Sequence, residues 1–313
     1  MTDEIGLRTI EVRGTQILLN GKPVFLRGIC IHAEAPYRTG RAYSEQDAKT
    51  LLGWAKELGA NYVRLAHYPH DESMLREADH MGLMVWAENP VYWALQFDNK
   101  NVYQKAEQQL DEEIGTSRNH ASIVLWSMAN ETPSQPARTR FISALAHHAR
   151  ELDPTRLITA ALLVRAEGDR KIVDDPLGNE LDVIGINEYI GWYEKTPQSA
   201  DHTAWQIDFQ KPLLVSEFGA DAKAGLHGAE TDRWTEEYQA SVYRHQLLML
   251  NKIPQLRGIS PWILMDFRAP RRMLPEIQDG FNRKGLISDQ GEKKAAFYVL
   301  QKAYQENSFG KAQ

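Results

Sequence analysis

Trp126-Ser127-Met128-Ala129-Asn130-Glu131 and Leu213-Leu214-Val215-Ser216-Glu217-Phe218 are the two stretches that decide the fold of this chain. Each is a run of apolar or small residues that stops at a glutamate, and such a run predicts a buried strand. A carboxylate at the end of a buried strand is costly unless it has partners or a task. Two of them on separate strands suit cleavage of a glycosidic bond, in which one carboxyl group protonates the leaving oxygen and the other attacks the anomeric carbon.

Six further runs of the same kind occur along the chain, so that eight strands are predicted with helical patterns in most of the gaps. The strands are expected at 24–31, 62–65, 83–86, 123–126, 157–160, 183–186, 212–216 and 258–262. Alternating strands and helices imply right-handed crossovers and a parallel sheet. Eight such units in about 250 residues indicate an α/β fold, the (β/α)8 or TIM barrel. An open doubly wound sheet is the alternative, but the glycine-rich phosphate turn after its first strand is missing.

Helix signals support this alternation. Helices are expected over 44–58, 72–80, 103–118, 136–152, 235–251 and 293–304. The first has Ser44 as its N-cap and Asp47 at the third position, a variant of the capping box, and Gly59 as its C-terminal residue.

Residues 8–22 precede the barrel and predict a short β-hairpin, because 9–12 alternates, 16–19 follows and Asn20-Gly21 is a strong turn signal. No linker, low-complexity segment or repeat with its own fold is visible. Residues 1–313 are therefore expected to form a single catalytic domain.

The composition excludes several classes of function. Hydrophobic residues make up 42% and charged residues 25% of the 313, which is ordinary for a globular protein with a full core. The net charge of −6 gives no basic footprint for nucleic acid or an anionic membrane surface. Cys30 is the one cysteine, so an intrachain disulfide is impossible. Residues 1–6 do not resemble a signal peptide, so a cytoplasmic location is expected, although a secreted chain with its signal removed would look the same.

Polar and aromatic residues stand just past the predicted strands, where a barrel carries its catalytic groups. Glu131 is predicted to be the acid, which requires a pKa raised by burial or by a like-charged neighbour. Glu217 is predicted to be the nucleophile, with Arg64 as the cation that keeps it ionised. Asn130 is expected to donate to a sugar hydroxyl. The other substrate-binding candidates beside these strands are His32, His67, Asn187, Tyr189, Trp192 and Trp262, the aromatic ones as flat faces for a pyranose.

Other chemistries find less support. His67 and His70 are three residues apart, but no cysteine or further ligand completes a zinc set, so no metal site is expected. Ser-x-x-Lys, Gly-x-Ser-x-Gly and Walker patterns are missing, which argues against acyl transfer and nucleotide hydrolysis. For either glutamate alone, a salt-bridged carboxylate at the rim is the simpler interpretation.

Residues 126–131 and 215–218 resemble the acid/base and nucleophile segments of glycoside hydrolase family 2, the β-galactosidase, β-glucuronidase and β-mannosidase group. Residues 19–24, 63–69 and 187–193 are also similar, and the resemblance runs from about residue 9 to residue 305. It implies a barrel, a retaining double displacement and no redox cofactor. Family members usually carry a β-sandwich and an immunoglobulin-like domain before the barrel, and both are expected to be absent here. A homo-oligomer would cover the surface thereby exposed.

Phe281-Asn282-Arg283-Lys284-Gly285-Leu286 matches the Asn-x-Lys pattern by which family β-glucuronidases hold the substrate carboxylate. An ammonium and an amide suit a carboxylate, and Arg268, Arg271 and Arg272 on the preceding loop would add to an anion site. The alternative is a solvated basic loop, because Asn-Arg-Lys-Gly also occurs in relatives whose substrates look neutral.

The function predicted is therefore a retaining β-glycosidase, with β-glucuronides as the first choice of substrate, either small molecules or oligosaccharides. A β-galactosidase, another neutral β-glycosidase or a transglycosylase of the same family is the alternative within this class. A non-catalytic barrel that binds saccharides is the alternative from another class.

Overall fold

Eight parallel strands close into a barrel in the computed structural model, which describes residues 4–306. The predicted domain of 1–313 includes ends, residues 1–3 and 307–313, that lie outside the described residues. The strands in chain order are β1 (Ile10–Arg13), β2 (Gln16–Leu19), β3 (Lys22–Pro23), β4 (Leu26–Ile31), β5 (Tyr62–Leu65), β6 (Met84–Glu88), β7 (Ile123–Asn130), β8 (Leu157–Leu162), β9 (Arg165–Glu167), β10 (Arg170–Val173), β11 (Val183–Asn187), β12 (Ala204–Ile207), β13 (Leu213–Glu217), β14 (Leu256–Ile259), β15 (Phe267–Arg268) and β16 (Phe281–Asn282).

Within residues 4–306 the α-helices surround the barrel, five of them between its strands in the sequence and one after the last strand. They are α1 (Glu45–Leu58), α2 (Glu72–Met81), α3 (Lys100–Ser117), α4 (Pro136–Leu152), α5 (Glu236–Leu250) and α6 (Ala295–Gln305). The Ser44 side chain accepts from the backbone N–H of Asp47, and Gly59 ends α1 in the left-handed conformation at φ 92°, as the sequence predicts. No helix within residues 4–306 is long and apolar enough to cross a membrane.

The barrel confirms the predicted fold class. Around the barrel the strands follow the order β4, β5, β6, β7, β8, β11, β13 and β14, and β14 pairs with β4 to close it. Each of these strands overlaps one of the eight predicted from the sequence. All eight residues of β7 are buried, which explains why its sequence is a continuous apolar or small run instead of an alternating one.

Two crossovers have no α-helix, between β8 and β11 and between β11 and β13. Each contains a short 3-10 helix, at Pro176–Glu180 and Pro197–His202, and both of these begin with a proline. The remaining chain of the two crossovers forms a small outer sheet in the order β12, β10 and β9. Short turns and a sheet thus cover this side of the barrel.

The predicted hairpin closes the end of the barrel at which the strands begin. Strands β1 and β2 pair antiparallel with Ile10 opposite Leu19, and β3 adds a third short strand, so the hairpin is part of a three-stranded sheet. Asn20 and Gly21 both have positive φ, at 51° and 74°, as the two-residue turn requires. Ile17 packs into a cluster formed by the first residues of the barrel strands.

Ile17 and the hairpin that carries it fill the end of the barrel at which the strands begin, and we call them the plug. Truncation of the plug should destabilise the whole barrel. Ile17 is 1% exposed, so we expect Ile17→Ala to lower the free energy of unfolding by about 2–4 kcal/mol through lost burial and the cavity left behind. Ile5→Ala is the matched control, because Ile5 is 68% exposed and its truncation should change stability by about 0.5 kcal/mol or less. Urea unfolding followed by circular dichroism measures both, and equal effects would contradict the plug.

Candidate active site

The carboxyl ends of five barrel strands bring polar side chains together at one mouth. Arg64 lies in β5, Glu88 ends β6, Asn187 ends β11, Glu217 ends β13, and Glu131 directly follows β7. Because parallel strands of a closed barrel all end at the same face, residues far apart in sequence become neighbours there.

Arg64 is buried at the centre of this mouth, and the oxygens to which it donates belong to other strands, β6, β7 and β13. Its Nη1 donates to Glu217 Oε1 at 2.8 Å and to the Ser216 carbonyl at 3.0 Å, and its Nη2 donates to Asn130 Oδ1 at 2.7 Å. Its Nε donates to Glu88 Oε2 at 3.0 Å. Burial alone lowers the pKa of Arg64, but the carboxylates of Glu88 and Glu217 raise it well above the usual value. The guanidinium therefore stays charged.

Glu88 is the second carboxylate on this cation. The indole N–H of Trp86 donates to Glu88 Oε2 at 2.8 Å, and His67 Nδ1 lies 2.6 Å from Glu88 Oε1. Burial works to raise the pKa of Glu88, but Arg64 and His67 lower it to about 2. The group is thus a permanent anion that fixes the orientation of Arg64.

Glu217 accepts hydrogen bonds at both of its oxygens. Arg64 donates to Oε1, as expected from the sequence, and the Tyr189 hydroxyl donates to Oε2 at 2.7 Å. Burial and the Glu217 charge raise the pKa of Tyr189 well above its usual value, so the hydroxyl keeps the proton that it donates. Both oxygens of this carboxylate are therefore held in place by hydrogen-bond donors, one of them charged.

Glu131 lies in a different electrostatic setting from Glu217. Its Oε1 accepts from the Asn187 amide at 3.1 Å, and its Oε2 accepts from the Trp93 indole N–H at 3.2 Å. Burial and the nearby negative charge of Glu217 outweigh these donors and raise the pKa of Glu131. A carboxyl group with a raised pKa can hold a proton at higher pH and donate it to a leaving group.

The backbone at Glu131 is strained. Its φ is 50°, in the left-handed region where an L residue with a side chain costs about 1–2 kcal/mol. The surrounding structure holds this conformation, because the Glu131 N–H donates to the Ala161 carbonyl at 2.9 Å. Strain of this kind concentrates at functional sites, and here it points the side chain that follows β7 into the mouth.

Asn130 and Asn187 connect the two glutamates. Asn130 Oδ1 accepts from Arg64 and from the Asn187 amide, the latter at 3.1 Å. Asn187 Oδ1 in turn accepts from the Ser216 hydroxyl at 2.7 Å. These bonds occupy the Asn130 carbonyl oxygen and so fix the orientation of its side-chain amide, whose NH₂ group is the donor that the sequence predicts for a sugar hydroxyl.

His32, His67 and Trp262 form an aromatic wall beside the carboxylates. The rings of His67 and Trp262 stack at 4.9 Å and 12°, and His32 meets Trp262 edge-on at 5.5 Å. His32 Nδ1 is hydrogen-bonded to the Tyr68 hydroxyl. One face of Trp262 is therefore covered by the His67 ring. The indole packs behind the histidine and is not open to a ligand on both faces.

Trp192 does not present the open face expected from the sequence. It is buried, its ring has the Arg233 guanidinium 4.1 Å from its centre, and Trp234 packs edge-on at 4.9 Å. The physical reason is that the turn after β11 folds this side chain back onto α5, where Tyr238 lies in the same cluster. Trp192 thus lies in the cluster against which Tyr189 packs.

The Asn-x-Lys segment is built into the same mouth. Lys284 is fully buried, and its Nζ donates to Asp221 Oδ2 at 2.5 Å and to the Tyr193 hydroxyl at 2.8 Å. Asn282 is also buried, and its Oδ1 accepts from the Lys284 backbone N–H at 3.0 Å. The alternative of a solvated basic loop is therefore wrong for these two side chains, because burial and ion pairing hold them in place.

The three arginines of the preceding loop are used differently. Arg272 donates to the Tyr193 hydroxyl at 3.1 Å, so it shares that oxygen with Lys284. Arg268 is paired with Glu34, and Arg271 is exposed. Of the three, Arg272 is the one that the structure brings to Lys284.

Several residues of this site were not among the candidates from the sequence. Glu88 and Asp221 are the counter-ions of Arg64 and Lys284, and Trp93 and Tyr193 contact Glu131 and Lys284 from loops. The position of Glu88 at the end of a strand was a usable signal, whereas no spacing rule points to the others. Among residues 4–306, no group of three or more His, Cys, Asp or Glu side chains is arranged to hold a metal ion.

A TIM barrel with two carboxyl groups of opposite character at the ends of its strands is the architecture of the glycoside hydrolases. Within that class the chain belongs to glycosyl hydrolases family 2, whose TIM barrel domain matches it over residues 10–309. The family resemblance drawn from the motifs is thereby confirmed.

Individual relatives agree with this membership. A β-glucuronidase of Streptococcus agalactiae serotype V is 32% identical over 328 residues, covering 96% of this chain and 53% of that protein. The crystal structure of a β-galacturonidase from Eisenbergiella tayi bound to galacturonate superposes with a TM-score of 0.86 at 26% identity, covering 99% of this chain and 56% of that one. A Ruminococcus gnavus β-glucuronidase in complex with D-glucaro 1,5-lactone gives 0.85 at 26%, covering 96% and 53%. This chain thus spans about half the length of the relatives it matches.

The lowered pKa of Glu88 predicts a pH dependence of stability. A group whose pKa falls on folding contributes stability above its ordinary pKa of 4.5 and loses it as the pH falls towards 2. We expect Glu88→Gln to be less stable than the wild type at pH 7, and this difference to shrink by about 2 kcal/mol between pH 4.5 and pH 3.

Urea unfolding at a series of pH values measures this difference. Glu11→Gln is the control, because Glu11 is exposed and its ion-pair partner, Arg13, is exposed as well. Its difference from the wild type should change by about 0.5 kcal/mol or less over the same range. A Glu88→Gln difference that is equally constant would contradict the ion pair.

Proposed function

We propose that this chain is the catalytic barrel of a retaining β-glycosidase that hydrolyses β-linked uronic acids, β-glucuronides first. The observation that carries the proposal is the contrast between Glu131 and Glu217, one with a raised pKa and the other held by a cation and a phenol. Double displacement at an anomeric carbon needs one acid and one ionised nucleophile, and this pair supplies both.

In the first step, a Glu217 oxygen attacks the anomeric carbon while Glu131 protonates the glycosidic oxygen. The bond from the anomeric carbon to the aglycone oxygen breaks, the aglycone leaves as an alcohol, and a covalent glycosyl ester forms on Glu217. In the second step, Glu131 takes a proton from water, the water oxygen attacks the same carbon, and Glu217 is released. Two inversions give net retention.

Arg64 and Tyr189 contribute to both steps. As the Glu217 oxygen bonds to carbon, its negative charge moves away from Arg64, and it returns when the ester is cleaved. Since Arg64 keeps Glu88 as a second anion, it is not left as an unpaired buried charge in the intermediate. Asn130, oriented by Arg64, is proposed to donate to the sugar hydroxyl next to the anomeric carbon.

The uronic acid is proposed because a buried cationic group lies beside the catalytic carboxylates. Lys284 Nζ is 5.7 Å from the centre of the Tyr189 ring, whose hydroxyl contacts Glu217. Hydrogen-bond donors for a carboxylate are available on Lys284, Asn282, Tyr193 and Arg272. Two of these donors are cations, which bind a carboxylate strongly and gain no comparable interaction from a neutral CH₂OH group. The names of the relatives, β-glucuronidases and a β-galacturonidase, support the same class of sugar.

A β-galacturonide is the second candidate, favoured by the match to the β-galacturonidase bound to galacturonate. The two sugars share the carboxylate and differ in the configuration of one hydroxyl. Assays that contradict the uronic acid proposal would show one of three other outcomes: turnover of neutral β-galactosides, transfer to a sugar acceptor, or binding without turnover. A homo-oligomer and a cytoplasmic location stay predictions from sequence.

Substitution of the two glutamates should have different effects. We expect Glu217→Gln to lower kcat at least about 10³-fold on every glycoside, because no nucleophile remains. Glu131→Gln should lower kcat/KM by about 10²-fold or more on alkyl glucuronides, which need a proton on the leaving oxygen, and far less on dinitrophenyl glucuronide, which does not.

The exposed Glu112→Gln is the control for both variants, and a thermal melt followed by circular dichroism confirms that each one folds. Appreciable turnover by Glu217→Gln would overturn the assignment of the nucleophile. An equal loss on alkyl and dinitrophenyl glucuronides would overturn the assignment of Glu131 as the acid.

We call the proposed donors to the substrate carboxylate, Lys284, Asn282, Tyr193 and Arg272, the uronate clamp. It is tested by removing both members of the Lys284–Asp221 pair. Lys284→Ala alone would leave the Asp221 carboxylate buried without its cation, at a cost of about 3–5 kcal/mol, and would confuse binding with folding. The double variant Lys284→Met with Asp221→Asn avoids that charge. We expect its kcat/KM for p-nitrophenyl β-D-glucuronide relative to the β-D-galactoside to fall by about 10²-fold.

The single variant Asp221→Asn is the matched control, since it loses the same ion pair, with a destabilisation that a thermal melt measures, and keeps the Lys284 side chain at the site. It should retain the preference for the glucuronide over the galactoside. A double variant that also retains this preference would remove the clamp from the proposal and leave the double displacement intact.

A further inference from the structure

The loop after β6 runs alongside the end of β7 and is fixed to it. The Asn130 N–H donates to the Val91 carbonyl at 2.9 Å, and the Trp93 N–H donates to the Asn130 carbonyl at 3.0 Å. Tyr92 and Asn130 form a parallel bridge between these two bonds. Trp93 itself has a φ of 57°, an uncommon conformation for so bulky a residue. The loop therefore places its aromatic side chains as firmly as a strand would.

Two exposed rings form a platform on this loop, consisting of Tyr92 and Trp93. Trp93 is 61% exposed and Tyr92 is 39% exposed. The rings pack edge-on with their centres 5.6 Å apart, and Tyr92 lies 5.9 Å from the His67 ring of the aromatic wall. Large apolar rings left open to solvent at the edge of a polar site point to a ligand that covers them.

The platform is connected to the reacting atoms through one hydrogen bond, from Trp93 Nε1 to Glu131 Oε2 at 3.2 Å. In the proposed reaction, the glycosidic oxygen must come within about 3 Å of the Glu131 carboxyl group to receive its proton. The group attached to that oxygen, the aglycone, must then lie next to whatever borders Glu131. On this side of the carboxyl group, the border is the indole of Trp93.

We propose that Tyr92 and Trp93 form the binding subsite for a planar aromatic aglycone, and that Trp93 is also a positioning residue for Glu131. This inference rests on the proposed function. A sugar in the same place would need partners for its hydroxyl groups, whereas the indole N–H is already engaged with Glu131. An aromatic ring needs only apolar faces, which stack with offset or edge-on geometry.

The positioning role concerns the direction in which Glu131 points and the ease with which it loses its proton. The groups that face Glu131 are the Trp93 and Asn187 donors and the charges of Glu217 and His67. The Trp93 bond lowers the pKa of Glu131 and so opposes burial and Glu217, which raise it. Loss of the indole N–H should therefore shift the basic limb of the pH profile of kcat/KM to higher pH.

The test compares benzyl and methyl β-D-glucuronide, which have leaving groups of nearly equal acidity and differ in the aromatic ring. We expect Trp93→Ala to lower kcat/KM for the benzyl compound about 3- to 10-fold more than for the methyl compound. Trp93→Phe keeps a ring and loses the N–H, so it should retain most of the preference for benzyl. Its basic limb, measured on the methyl compound, should move up by about 0.5 pH unit.

Tyr43→Ala is the control for the loss of an exposed aromatic residue, since Tyr43 is exposed in a different loop and packs against Arg38. It should leave both substrates and the pH profile unchanged. Equal losses on the two substrates with Trp93→Ala, together with an unmoved basic limb in Trp93→Phe, would show that Trp93 is merely structural and overturn the inference. Wild-type protein inactive on both glucuronides would instead refute the proposed function, and the subsite with it.

Discussion

The charge of Arg64 at the centre of the barrel mouth is the constraint on which the rest of the site depends. A buried guanidinium costs several kcal/mol unless its donors are satisfied, and here the acceptors come from β6, β7 and β13. Below it, the Trp86 ring lies 5.2 Å away and holds Glu88 through its own N–H. Because the acceptors belong to different strands, the cation connects them and sets the position of both proposed catalytic groups at once.

The same cation explains why two identical side chains differ. Glu217 contacts Arg64 directly, whereas Glu131 reaches it only through Asn130 and Asn187. Burial raises the pKa of Glu131, and the negative charge of Glu217 raises it further, because no cation is in direct contact with Glu131 to offset them. A single positive charge, placed to one side, is enough to separate the roles of acid and nucleophile.

Much of the fold follows from the sequence because buried parallel strands leave a direct mark, a short apolar run that stops at polar residues. The positions of Arg64, Glu131 and Glu217 at one mouth follow from the same rule. The pairing of Lys284 with Asp221 does not, since it joins two loops 63 residues apart whose conformations have no periodic signal. The burial of Trp192 does not follow from the sequence for a similar reason, because an aromatic residue after a strand can turn either to the mouth or to the helices. The two crossovers without α-helices are likewise set by prolines and packing.

The left-handed backbone of Glu131 also bears on how such a barrel would respond to engineering. Glycine adopts this conformation without penalty, so Glu131→Gly relieves strain at the position where the proposed chemistry resides. A library of variants sorted by thermal stability alone would tend to retain that substitution and lose the proposed acid with it. In the proposed reaction, stability and turnover therefore compete at this one residue.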